Sequence, residues 1–298
     1  MSKVSLYLAG EKGLTVLQLA LKRYKNIISH VVSAKIPGVM NDHYDDLKAL
    51  CESSAVPFYE RSSLLSAKNN KNDFSLAVGW RWMLPEYNSL IVIHDSLLPK
   101  YRGFSPLVNC LINGEEIIGA TAIYGSKNYD TGEIIKQCQR VIEYPIKVKS
   151  AIEIMSEIYA EIALFLFEQI KCGHKLNSTP QDHSLASYSL WRDDGDYWID
   201  WTKSSAEIAR FIDAVGFPYL GARCVMNGAV AIINHAIAVE DVFVMDRKSS
   251  VGKVLFIEDG FPTIVCTRGV LKILEMTSED GISLVPLKNF RIRFEGAR

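Results

Sequence analysis

Two continuous apolar runs, residues 74–80 (FSLAVGW) and 89–94 (SLIVIH), constrain the fold more than any other feature of the chain. A strand with one solvated face alternates apolar and polar residues. A strand that is apolar along its whole length is buried on both faces, the usual state of a parallel sheet covered by helices. The flanking segments agree. Residues 3–9 (KVSLYLA) and 28–34 (ISHVVSA) read as strands, and Pro57 to Tyr59 as a short one. Leucines at helical spacing over 14–24 and a helical pattern over 43–53 fall between them. This alternation predicts an α/β domain with a mostly parallel sheet and helices on both sides.

The pattern continues with a short helix over 106–114, a strand over 118–125 and a long helix over 147–172. In the long helix Ile152, Met155, Ile158, Ile162 and Phe165 keep an i, i+3, i+4 rhythm, and Gly173 stands where a C-terminal cap belongs. A polar connector, 174–187 (HKLNSTPQDHSLAS), suggests a domain boundary, giving domains 1–187 and 188–298. Beyond it, Ser204 and Glu207 make a capping-box pattern for a helix that stops at Gly216 and Pro218. Short strand patterns follow at 222–226, 229–237, 251–257, 262–267 and 269–276, punctuated by Asn227-Gly228, Asp259-Gly260 and Asp280-Gly281. They predict a small β-barrel or sandwich.

Bulk properties remove several function classes. The 298 residues carry 33 Lys and Arg against 34 Asp and Glu, a net charge of −1, which gives no general push toward DNA or RNA. Cys51, Cys110, Cys138, Cys172, Cys224 and Cys266 are scattered with no CxxC pair, which argues against a zinc ribbon or a disulfide scaffold and suits reduced thiols in a cytoplasm. His30, His43, His174, His183 and His235 have no metal-ligand spacing, so no metal is expected. The opening apolar run is too short for a signal peptide, and no stretch approaches about 18 apolar residues, so no membrane span is expected. Gly10 and Gly13 do not make a dinucleotide fingerprint, because GxGxxG is absent. Lys68-Asn69-Asn70-Lys71 reads as a solvated loop.

Chemistry concentrates in residues 94–132. His94 ends an apolar strand, and in open α/β sheets ligands bind outside the carboxyl ends of the strands. A titratable imidazole there is placed for acid–base work, although a lone histidine at such a point more often caps a strand or bonds a loop carbonyl. Here Pro99, Arg102, Gly103 and Pro106 follow at once as a rigid loop with a basic residue. Asp130 then stands in Tyr129-Asp130-Thr131-Gly132, good turn chemistry that also supplies a carboxylate able to orient a histidine and favour its charged form.

His94 through Gly103, read as HxSLLPxYRG, resembles the signature of folate-dependent formyltransferases, among them methionyl-tRNA, glycinamide ribonucleotide and sugar N-formyltransferases. The likeness continues through Pro106, Ile112-Asn113-Gly114, Gly119-Ala120-Thr121 and Asp130-Thr131-Gly132, with the aspartate 36 positions after the histidine (130 − 94) as in the family. Asp200-Trp201 through Pro218-Tyr219-Leu220-Gly221-Ala222 resembles the start of the family's C-terminal domain, so nearly the whole chain is covered. The resemblance implies a Rossmann-like catalytic domain, an OB-like C-terminal domain, and N10-formyltetrahydrofolate as co-substrate. It implies His94 and Asp130 as the catalytic pair. It places Trp82, Met83, Leu84, Tyr129 and Asp130 toward the folate, with Pro85 closing that loop. Tyr101, Arg102, Trp191 and Arg192 are the expected acceptor contacts. One departure stands out. The family has an Asn two residues before its His, helping to hold the formyl oxygen, and here that position is Val92. Losing one such donor costs about 10²–10³ in rate. Ser96 or a backbone N–H could replace it, protonated His94 could carry more of the stabilisation, or the enzyme could be weak or inactive.

For the acceptor, the expectation is a nucleotide-linked amino-dideoxy sugar of the kind used in polysaccharide biosynthesis. Methionyl-tRNA is the runner-up, and a non-catalytic folate- or sugar-nucleotide-binding module is a second class that Val92 would favour. A tRNA acceptor needs Lys and Arg for its phosphates. The region matching the tRNA enzymes' basic loop, Ile36 to Asp46, is acidic here, as is 190–201 apart from Arg192. The partners expected are small molecules rather than nucleic acid, in a chain compatible with a homodimer.

Overall fold

A computed structural model describes residues 2–62, 74–84 and 89–296. The expected loop at 68–71 and Pro85 lie outside the described residues. Two compact units emerge. The first comprises Met1–Leu107, Glu116–Ile142 and Ser150–Trp191, and the second Val108–Glu115, Glu143–Lys149 and Arg192–Arg298.

The apolar runs form a seven-stranded sheet. Its strands are β1 (Val4–Leu8), β2 (Ile28–Ser33), β3 (Phe58–Glu60), β4 (Phe74–Val78), β5 (Leu90–His94), β7 (Ile117–Tyr124) and β8 (Ile134–Val141), with the two-residue β6 (Arg102–Gly103) intervening in the chain. The order is β3-β2-β1-β4-β5-β7-β8. The first five run parallel, and β7 and β8 add an antiparallel edge. Helices α1 (Gly10–Tyr24), α2 (Tyr44–Ser53) and α3 (Pro106–Asn113) fall between strands in the chain, and α4 (Val148–Cys172) follows β8. The sheet is thus Rossmann-like and mostly parallel, as expected. Every residue of β1 is buried, and β4 is buried from Ser75 to Val78, which is why these segments carry no polar alternation.

The chain leaves β1 toward β2 and β3, then crosses back to β4 and β5, so the topological switch lies between β1 and β4. That edge is drawn tight. Ala9 N–H donates to Val78 O (3.1 Å), and a Cβ on Gly79, whose φ is +62°, would stand 2.4 Å from Ala9 O. Only glycine fits there.

Residues 174–191, which include the polar connector 174–187, belong to the first unit. Thr179 bridges Ile134, and β9 (Tyr188–Ser189) pairs in parallel with β6. In the second unit α5 (Ser205–Val215) starts at the expected Ser204–Glu207 capping box, worth about 1 kcal/mol. It packs on an antiparallel sheet ordered β12-β13-β14-β11-β10-β15. These strands are β10 (Ala222–Met226), β11 (Ala229–Val239), β12 (Val254–Glu258), β13 (Phe261–Val265), β14 (Val270–Ser278) and β15 (Phe294–Glu295). A register shift at His235 bends β11 against β14, so the sheet curls. Among the described residues no helix is long and apolar enough to cross a membrane.

Candidate active site

His94 closes β5 and is 7% exposed. Its Nε2 lies 2.8 Å from Tyr101 O. A carbonyl has no proton to give, so Nε2 carries the hydrogen and donates. Nδ1 is left facing Asp130 Oδ1 at 3.5 Å. Asp130 approaches from the turn after β7 with φ +53°, a left-handed conformation that aspartate tolerates better than most residues. Its other oxygen, Oδ2, accepts the Gly103 N–H at 2.8 Å. The structure thus brings together the two residues expected to form the pair, which are 36 positions apart (130 − 94) in the chain.

The loop between them is braced by side chains whose roles are silent in the sequence. Thr121 Oγ1 donates to Ser96 O (2.6 Å) and accepts from Leu98 N (3.0 Å). Gln137 Nε2 donates to Leu98 O and to Thr121 Oγ1. Gln181 spans two elements: its Nε2 donates to Asp130 O and Gly132 O, and its Oε1 accepts from Arg102 Nε and NH2. Gln181 lies in the stretch that composition marks as a linker, so only its burial, at 6% exposure, reveals the role. Behind the pair, Lys12 in the first turn of α1 forms a close ion pair with Asp95. Burial would raise the Asp95 carboxyl, but the Lys12 ammonium outweighs it and holds the carboxyl below its ordinary value. Burial, and then Asp95, pushes the Tyr159 phenol well above its ordinary range, so it stays protonated and donates to Ile93 O (2.8 Å).

On the face of β5 that carries His94, an apolar row crosses the sheet: Val32, Tyr7, Ala77 and Val92 are successive register partners. Trp80, Leu84, Leu90 and Tyr59 pack on it. Trp80 meets Tyr7 edge-on (5.4 Å, 72°) and Trp82 likewise (4.9 Å, 68°), and the Arg61 guanidinium lies 5.1 Å from the Trp82 ring centre. The expected folate-side residues are therefore divided: Trp82 and Leu84 join this aromatic wall, while Met83 is 64% exposed. Tyr129, 59% exposed, sits against Phe104, whose ring centre is 6.1 Å away.

The acceptor-side expectations fare differently. Arg102 is 2% exposed, with its guanidinium spent on Gln181 and close to His183 Nδ1 (3.0 Å). An acceptor contact through this side chain needs an accessible guanidinium, whereas here Arg102 braces the loop from inside. Tyr101 contributes its backbone: its carbonyl accepts from His94 Nε2, and its N–H donates to Ser187 Oγ. Trp191 is 61% exposed at the end of the first unit. Arg192 opens the second unit, and its Nε is buried without a partner among the described residues.

Residues 59–154 match the formyl transferase family model, and residues 193–291 match the model of the formyl transferase C-terminal domain. The chain belongs to the formyl transferase family, whose members are folate-dependent transferases. It is 34% identical over 205 residues to the methionyl-tRNA formyltransferase of Carboxydothermus hydrogenoformans, an alignment spanning 66% of this chain but 62% of that relative's length. Against the methionyl-tRNA formyltransferase of Fervidobacterium nodosum it is 26% identical, covering 84% of this chain and 83% of the relative. Among solved structures it is similar to WlaRD, a sugar 3N-formyl transferase determined with dTDP and 5-N-formyl-THF (TM-score 0.71, 18% identity, 96% of this chain and 98% of that one). It is similar also to the N-formyltransferase of Helicobacter canadensis, determined with folinic acid and dTDP-3-aminofucose (TM-score 0.71, 18% identity, 92% and 99% covered). At those identities the structural likeness establishes the fold.

Proposed function

We propose that the chain moves a formyl group from N10-formyltetrahydrofolate to the amine of a nucleotide-linked amino-dideoxy sugar, with His94 and Asp130 handling the amine's proton. The observation that carries this reading is the pair itself, held at a strand end with Nδ1 of His94 facing Asp130 Oδ1 at 3.5 Å. Because Nε2 already carries a hydrogen for Tyr101 O, Nδ1 is the ring atom able to take a proton from the attacking amine. Once it does, the Nδ1–H faces the Asp130 carboxylate, which stabilises the imidazolium. Gly103 N–H keeps that carboxylate in place. The 3.5 Å gap exceeds an ordinary hydrogen bond, which leaves room for an amine or a water to approach.

The residues present fit a folate. The co-substrate supplies the activated formyl carbon, and the protein supplies two half-buried indoles, Trp80 and Trp82, backed by the buried Tyr7, on the face that bears His94. The sugar reading rests on charge and surface. In the 36–46 loop Asp42 accepts from Ile36 N and Tyr44 N, and Asp46 pairs with His43. A carboxylate-knit loop opposes tRNA phosphates. Phe104, Tyr129, Tyr188 and Trp191 are exposed in the same unit, flat surfaces against which a sugar or nucleobase can lie. The methionyl-tRNA reading is favoured by the names of the sequence relatives. Assaying both acceptors side by side with one formyl donor, at about 0.15 M salt so that electrostatics are not exaggerated, separates them. Turnover with the sugar nucleotide and little with methionyl-tRNA is expected. Efficient tRNA formylation without sugar activity would overturn the acceptor assignment.

A further inference from the structure

We propose that the indole N–H of Trp80 is a hydrogen-bond donor to the bound formyl donor, serving the oxygen of its formyl group. The proposal rests on the formyl-transfer reading above. As an amine nitrogen bonds to the formyl carbon, the C=O electron pair moves onto oxygen, and a site that speeds the step presents a donor to that oxygen.

The hydrogen bonds around His94 leave few donors to spare. His94 Nε2 gives its hydrogen to Tyr101 O, and Gly103 N–H is spent on Asp130. Leu98 N–H goes to Thr121, and Thr121 to Ser96 O. The Ser96 hydroxyl, the nearest side-chain candidate in sequence, donates to Lys100 O at 2.6 Å. Val92, the preceding residue on the same face of β5, has no polar atom in its side chain.

Trp80 differs. Its Nε1 is buried and has no hydrogen-bond partner among the described residues. A buried N–H left unmatched costs free energy, and one common reason to retain it is a ligand that completes the bond. The ring packs on the row Val32, Tyr7, Ala77 and Val92. His94 projects from that face two residues beyond Val92, about 6.6 Å along the strand. Tyr7 and Trp82 meet the indole edge-on from two sides, which restricts its movement.

The test combines a spectrum and a rate. The chain is labelled with ¹⁵N at its indoles, and the Trp80 cross-peak is assigned by its absence in Trp80→Phe. Adding 5-formyltetrahydrofolate, a stable formyl-bearing folate, should move that cross-peak downfield. Trp80→Phe should lower kcat by about 10²-fold with little change in the KM for the formyl donor. The other four indoles, assigned from their own Trp→Phe variants, leave the Trp80 cross-peak by elimination, so the wild-type spectrum decides the matter even if Trp80→Phe folds poorly. If the wild-type chain binds no 5-formyltetrahydrofolate, the formyl-transfer reading falls and this proposal with it. If the folate binds but the Trp80 cross-peak stays put, or if folded Trp80→Phe keeps its native kcat, this proposal alone is overturned.

Discussion

His94 and Asp130 depend on each other through one contact, so removing either should remove most of what both do. His94→Ala and Asp130→Ala are each expected to lower kcat/KM by about 10²-fold or more. The double variant should lose little beyond the worse single one, because residues acting as a unit do not add. Steady-state kinetics on folded variants check this, and a near-native rate in either would dismiss the assigned roles. At this scale the sequence was legible where the information is local. The strand-end histidine, the loop after it and the Asp-Thr-Gly turn each announce themselves over a few residues. Partnerships over long separations did not show. Arg102 and Gln181 are 79 residues apart, and nothing in the sequence distinguishes a buried, satisfied guanidinium from an exposed grip. Trp80 was equally silent, since an orphaned N–H is visible only when every neighbour has been placed.

The turn joining β7 to β8 is the element on which Asp130 rides, and its geometry admits little variation. A Cβ on Gly132 would stand 1.7 Å from Tyr124 O. Gly132→Ala must therefore push the turn away from β7 and carry Asp130, two residues earlier, with it. The variant is expected to lose activity and to melt about 5–10 °C lower. Calorimetry with a parallel rate measurement tests this, and a native Tm with native activity would show that the turn can yield. The strands buried on both faces were legible from their unbroken apolar runs. β8 was not, and its burial explains why: apart from Cys138 its residues are exposed or half-buried. An edge strand with Lys, Gln and Arg on its open face resembles a loop in composition. The polar run 174–187 has the composition of a linker for the same reason, because its burial is concentrated in Leu176 and Gln181.

For the whole molecule, stability should carry a pH signature from the second unit. Burial pushes the Asp213 carboxyl up to about 6, with Lys147 and His235 opposing. A carboxyl whose folded value exceeds its unfolded one binds more protons when folded, so stability falls as pH rises from about 4 to 6 and is level above that. Asp213→Asn removes this dependence. Relative to wild type, the variant should gain on the order of 3 kcal/mol in unfolding free energy between pH 4 and 7, at about 1.4 kcal/mol per unit. Denaturant unfolding across that range measures it, and a difference independent of pH would refute the assignment. The pairing of β6 with β9 bears on how the molecule is made. The loop at 101–104 takes its order from Ser187 and Ser189, and the contact from Tyr101 to Ser187 spans 86 residues. A ribosome that has finished the turn bearing Asp130 has therefore made both members of the pair, but not the strand that fixes the loop between them. Competence arrives late in translation, after residue 189 has emerged, and a nascent chain cannot begin to work on its substrate before then.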